Sequence, residues 1–292
     1  MAYLYGILSA LFFGISNVYW KHASKRIDYP YLIVFRGLIA STFFTLLWFF
    51  LFVCDDENVQ LIQPSTNPQF YLIAICICFI CSLGICFFLA SLRYQTVSLT
   101  VSLASINIFN LLTAVLVVGE AFRSVYWICF SLAGIGVLFT QDISFKCNLL
   151  QWNKGATYAL MAAFFWGITY PLFKFLSTTL GAIPLACMLE ICVTVSAFIW
   201  ARLERKEFNT IILLQKSNLI TYFILALLLI GGTLFFNLAI QHVTILNLDL
   251  IANFQLIVAL LASIIIYQEK LSIKQLVGIV LILLSIFLSQ MF

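Results

Sequence analysis

With 64% hydrophobic and only 9% charged residues among 292, the chain has too few polar side chains to clothe a water-soluble fold, where about a quarter of residues are charged. Its formal charge of +4 is scattered over short connectors, which excludes the clustered basic face of a nucleic-acid binder. The lipid bilayer is therefore the expected solvent, and crossing about 30 Å of hydrocarbon takes about 20 mainly apolar residues.

Ten segments of about that length stand between polar interruptions. The first, 2–21, follows a start with no basic leader and no small-residue cleavage pattern, so it is expected to stay in the mature chain. It places Asn17 and Lys21 on one face. The second, 31–53, carries Arg36 one and a half turns in, and the third, 70–92, holds Cys76, Cys78, Cys81 and Cys86. These thiols, like the other five, read as small hydrophobes, because no second Cys pair or His cluster joins Cys78-x-x-Cys81. The fourth segment, 96–118, sets Thr100 and Asn107 on one face, and the fifth, 124–140, is the shortest. The sixth, 155–176, contains Trp166, Tyr170 and Lys174 beside Pro171, which is expected to kink it. Glu190 lies in the seventh, 183–201, and Asn237 follows Gly231-Gly232-Thr233 in the eighth, 219–241. Asp249 and Asn253 share a face of the ninth, 244–267, and the tenth runs over 273–291.

The segments repeat. Sliding 90–120 onto 239–269 without a gap superposes Ala90 on Ala239, Leu99 on Leu248, Thr100 on Asp249 and Glu120 on Glu269. Ala10 to Ile15 likewise overlays Ala163 to Ile168, bringing Lys21 onto Lys174, while Pro30 overlays Pro184 and thereby Arg36 meets Glu190. Two domains of five helices are expected, 1–142 and 152–292. Five is odd, so the second repeat enters the membrane inverted, and a site between the halves can open to either side. The expected fold is an all-α membrane protein of ten transmembrane helices in two inverted repeats around a central cavity. The connectors after segments 1, 3, 5, 7 and 9 hold 12 of the 15 basic residues, against Arg123 and Lys174 opposite, so both termini are expected to face away from the cytoplasm.

Short motifs in both halves add a resemblance. Phe13-Gly14-Ile15-Ser16-Asn17 with Lys21, Phe35-Arg36-Gly37, Ala90-Ser91-Leu92-Arg93-Tyr94, Gly119-Glu120 and Gln268-Glu269 fall in matching order. The chain resembles the drug/metabolite transporter superfamily, specifically its ten-helix EamA-type members with two EamA repeats. The resemblance implies a transporter in a bacterial cytoplasmic membrane, with helices 5 and 10 peripheral and the others around the site. Asp55-Asp56-Glu57 departs from the basic loop usual there, so orientation is not carried over.

An ionisable residue within a span is costly and marks a functional candidate. Arg36 and Glu190 at repeat-equivalent positions can clasp the carboxylate and ammonium of an amino-acid-like substrate; the alternative is a structural salt bridge, or an arginine snorkelling to the interface. Glu190 and Asp249 are the proton-coupling candidates, Asp249 having the alternative of a helix cap. Asn17, Asn107, Asn237 and Asn253 are candidate cavity amides, with interhelical bonding as the alternative. Trp166 and Tyr170 can line an apolar subsite for a ring or a lipophilic cation. Lys21 and Lys174 read as interfacial anchors, and would join Arg36 if the cargo were a phosphate. Glu120 and Glu269 read as helix-boundary residues. The expected partners are a small-molecule substrate, the bilayer and a coupled proton; no cofactor or metal is expected. A polytopic membrane enzyme is the alternative class, but the only histidines, His22 and His242, lack a partner at ligand spacing.

Overall fold

With no water in the hydrocarbon, every backbone N–H and C=O must be paired within the protein, and an apolar chain of this length meets that demand with helices. The computed structural model describes residues 1–54, 67–94, 96–105, 108–140, 154–204, 215–267 and 272–291. Their helices are α1 (Ala2–Ala23), α2 (Tyr29–Cys54), α3 (Pro68–Ser91), α4 (Val97–Ser105), α5 (Ile108–Leu116), α6 (Val125–Thr140), α7 (Lys154–Leu180), α8 (Ala182–Leu203), α9 (Lys216–His242), α10 (Ile245–Ala252), α11 (Phe254–Tyr267) and α12 (Ile273–Met291). No strand occurs among the described residues. Eight stretches are long and apolar enough to cross a membrane, counting 99–116 and 245–266 as one each. With the shorter apolar helices α6 and α12 these make the ten expected segments.

Local chemistry sets several boundaries. Asn67 accepts from the Gln69 N–H and Pro68 opens α3, satisfying one orphan donor and supplying a residue that needs none. Thr244 accepts from the Asn247 N–H and caps α10, so Asp249 sits in the second turn and is not the cap. The ninth segment is not one helix: it divides at Asn253, whose N–H bonds the Leu250 carbonyl and whose side-chain amide donates back to the Asp249 carbonyl at 3.2 Å. Pro171 lies inside α7, which continues to Leu180 with one helical donor missing.

The helices pair across the repeats. α1 packs on α9 and α3 on α7; α1 also packs on α11, as α7 does on α5; α2 pairs with α8 and α6 with α12. Exchanging the two halves leaves that list unchanged. The contacts themselves repeat: a Cβ on Gly14 would fall 2.6 Å from Val258 Cβ, and one on Gly167 would overlap Phe109 and come within 2.8 Å of the Asn110 nitrogen. Gly14 aligns with Gly167 and Val258 with Phe109, so the missing side chain lets the backbones approach at both symmetric crossings. Hydroxyls bridge others: Ser9 donates to the Gly232 carbonyl at 3.0 Å, and Ser82 and Ser196 share a bond of 2.6 Å.

Candidate functional site

Where the two halves meet, a cavity of about 150 Å³ is lined by α1, α2, α3, α4, α5, α7, α8, α9 and α10 with the start of α11. That is roughly ten times the 10–15 Å³ needed for one water, which is metabolite scale. Neither α6 nor α12 contributes a lining residue. The apolar wall includes the aromatic residues Phe13, Trp20, Phe88, Trp166, Tyr170, Phe173 and Phe236. Trp166 and Tyr170 are stacked at 5.9 Å between centroids, and the Phe236 ring lies 5.1 Å from Tyr170.

Arg36 from α2 and Glu190 from α8 face each other in this wall and form an ion pair, Nη1 donating to Oε2. They are only 1% and 3% exposed, so neither charge is relieved by snorkelling to the interface. Thr233 on α9 donates to the other Glu190 oxygen at 3.4 Å, and the guanidinium carbon lies 5.9 Å from the Trp20 ring centroid. Arg36 Nε is buried without a partner. A guanidinium with a spare donor beside a carboxylate can receive an anionic and a cationic group together.

Asp249 and Asn253 also line the cavity, from the two sides of the α10–α11 break, and Asn17 lines it from α1. Thus Asn17, Arg36, Trp166, Tyr170, Glu190, Asp249 and Asn253 are brought together. Asn237 is not among the lining residues: it is 1% exposed, and neither atom of its amide has a partner. Asn107 and Glu269 lie outside the described residues. Lys21 and Lys174 do not line the cavity either; Lys21 donates to the Leu92 carbonyl and Lys174 to the Glu120 carboxylate at 2.8 Å. Glu120 stands at a helix boundary, after α5, and it also pairs with Lys174 across the repeats.

Several lining polar residues have no sequence signature. Ser9, Ser16, Asn110, Thr233 and Gln255 contribute to the wall, yet Ser and Thr are ordinary in membrane helices because they bond the preceding turn. Asn110, one turn beyond Asn107, could have been found as an amide within an apolar run. Cys81 also reaches the cavity, and Cys76, Cys78, Cys81, Cys86, Cys129, Cys187 and Cys192 are free thiols.

A family model described as "EamA-like transporter family" matches residues 1–141 and again 153–291. Comparison with curated proteins gave no match. Among 28 matching solved chains, one described only as "Crystal structure of protein" aligns over 99% of this chain and 96% of its own, with a TM-score of 0.74 and 12% identity. That likeness shows a shared fold and says nothing of cargo.

Proposed function

The chain belongs to the EamA-like transporter family, and from that premise we propose that it carries an amino acid or amino-acid derivative by alternating access between its two repeats. It is an integral multi-pass membrane protein of drug/metabolite type; the proposed location is a bacterial cytoplasmic membrane.

One observation carries the cargo reading: two opposite charges in the cavity wall that bond each other, Arg36 and Glu190, are buried at its side with hydrogen-bonding capacity to spare. A zwitterion replaces each partner with an equivalent group, carboxylate for Glu190 and ammonium for Arg36, so the wall keeps its charges paired while the cargo is held. Asp249 gives the wall a second carboxylate, which a proton neutralises or a cationic group pairs with, and this makes it the proposed coupling residue. Phosphorylated cargo is disfavoured, because Lys21 and Lys174 are engaged outside the cavity. A lipophilic cation is the second reading, supported by the aromatic wall with its two carboxylates.

Counterflow into proteoliposomes preloaded with amino acids, S-adenosylmethionine, sugar phosphates or cationic dyes tests this. Exchange of an amino-acid-like compound that is lost in Arg36→Ala and in Glu190→Gln is expected. Exchange restricted to phosphates, or normal transport by both variants, would remove the clasp.

A further inference from the structure

Glu120 stands on the connector between α5 and α6, just after Gly119, whose φ of +77° turns the chain at the end of α5. Its carboxylate leaves the first repeat altogether. Oε1 accepts from the Ile245 N–H at 2.8 Å and from Lys174 Nζ at 2.8 Å, and Oε2 accepts from the Leu246 N–H at 3.2 Å. One side chain thus ties the α5–α6 connector to the N-terminus of α10 and to the last third of α7, both belonging to the second repeat. The carboxylate meets the positive end of the α10 dipole and two N–H groups that otherwise lack a helical partner, an arrangement that favours a negative charge. Glu120 is 10% exposed, so these bonds are only partly screened by solvent.

What Glu120 holds is cavity wall. Ile245, Leu248 and Asp249 on α10 line the cavity, as do Tyr170 and Trp166, one and two turns before Lys174 on α7. The same end of α10 is tied further: Tyr126 Oη donates to Asn247 Oδ1 at 3.1 Å, and Asn247 Nδ2 donates to Tyr3 Oη at 3.3 Å. The Arg93–Glu204 pair differs, being 27% exposed on each side with neither residue adjoining the cavity.

We propose that Glu120 is a positioning residue that latches one mouth of the cavity: bonded to Lys174 and the α10 N-terminus it holds that mouth closed, and the mouth opens when these bonds part. The proposal rests on the transporter reading only in requiring a mouth that opens; it does not depend on the cargo.

Cys81 provides the readout, since it reaches the cavity and is 1% exposed. Oriented vesicles are treated from either face with a membrane-impermeant maleimide, and modification of Cys81 is quantified by peptide mass spectrometry. The face carrying Glu120 is identified with an introduced cysteine at the exposed Arg123. Glu120→Gln is expected to raise Cys81 modification from that face by about tenfold or more, the factor that loss of about 1.4 kcal/mol of closing energy gives, with no rise from the opposite face. Lys174→Gln leaves the bonds to α10 in place and is expected to shift the rate in the same direction by a smaller factor. Gel filtration qualifies each variant, and if Glu120→Gln fails to fold, Lys174→Gln alone carries the test. Unchanged rates, or an equal rise from both faces, overturn the latch while leaving the cargo question where it was.

Discussion

Replacing Glu190 by Gln removes one charge and almost no volume, so its cost measures what the pair does for the fold. Arg36 is 1% exposed and loses the carboxylate it bonds, while Thr233 still finds an acceptor at 190. Breaking a buried pair by removing one partner costs about 3–5 kcal/mol. Placing an unpaired arginine at mid-membrane costs about 2.5–3.5 kcal/mol on insertion scales. The two estimates overlap near about 3 kcal/mol, which is the predicted destabilisation. Arg36→Met combined with Glu190→Gln removes both charges and fills the stem of the arginine, so most of the loss should return. The assay is thermal unfolding of the purified protein across the full double-mutant cycle, with transport measured on each variant. Recovered stability with no transport is the expected pattern for the double variant. A single variant as stable as the parent, or costs that add within about 0.5 kcal/mol, would refute the reasoning.

Two further substitutions separate packing from binding. Gly167→Ala puts a methyl group against Phe109 and the Asn110 backbone, so a loss of about 1–3 kcal/mol is expected, read as a lowered unfolding temperature; Gly134→Ala, where a Cβ meets nothing within 4 Å, is the control that should not fall. Asn237→Leu replaces a buried amide with no partner on either atom by an apolar side chain of similar size, and is expected to stabilise by about 1–3 kcal/mol with transport retained. Loss of transport in a stable Asn237→Leu protein would return that residue to the site.

Much of this architecture was legible because its signals are periodic. Ten apolar runs give the ten segments, and the alignment of Pro30 on Pro184 predicts that Arg36 and Glu190 are related, which the fold turns into direct contact. Gly14 and Gly167 were visible as an aligned pair, but that each accepts its neighbour's β-carbon is a fact of tertiary packing. The division at Asn253 was not legible: no Gly or Pro stands there, and the amide breaks the helix by bonding its own preceding turn. The bonds that Glu120 makes were not legible for a related reason. Two of its three partners are backbone N–H groups 125 and 126 residues away, and a backbone donor leaves no mark on side-chain identity. Asn237 does not line the cavity, and an amide in an apolar helix reads the same in sequence whether it faces a cavity or a packed interface.

The claim that the cavity holds a zwitterion through both charges is tested most directly by binding to the purified protein. Thermal protection would be titrated with a free amino acid selected by counterflow, with its carboxamide and with its N-acetyl derivative. The account predicts protection by the free amino acid and a weakening of about tenfold or more when either charge is removed, the factor that loss of one charge-assisted hydrogen bond of about 1.5–3 kcal/mol gives. Equal protection by all three compounds would contradict it.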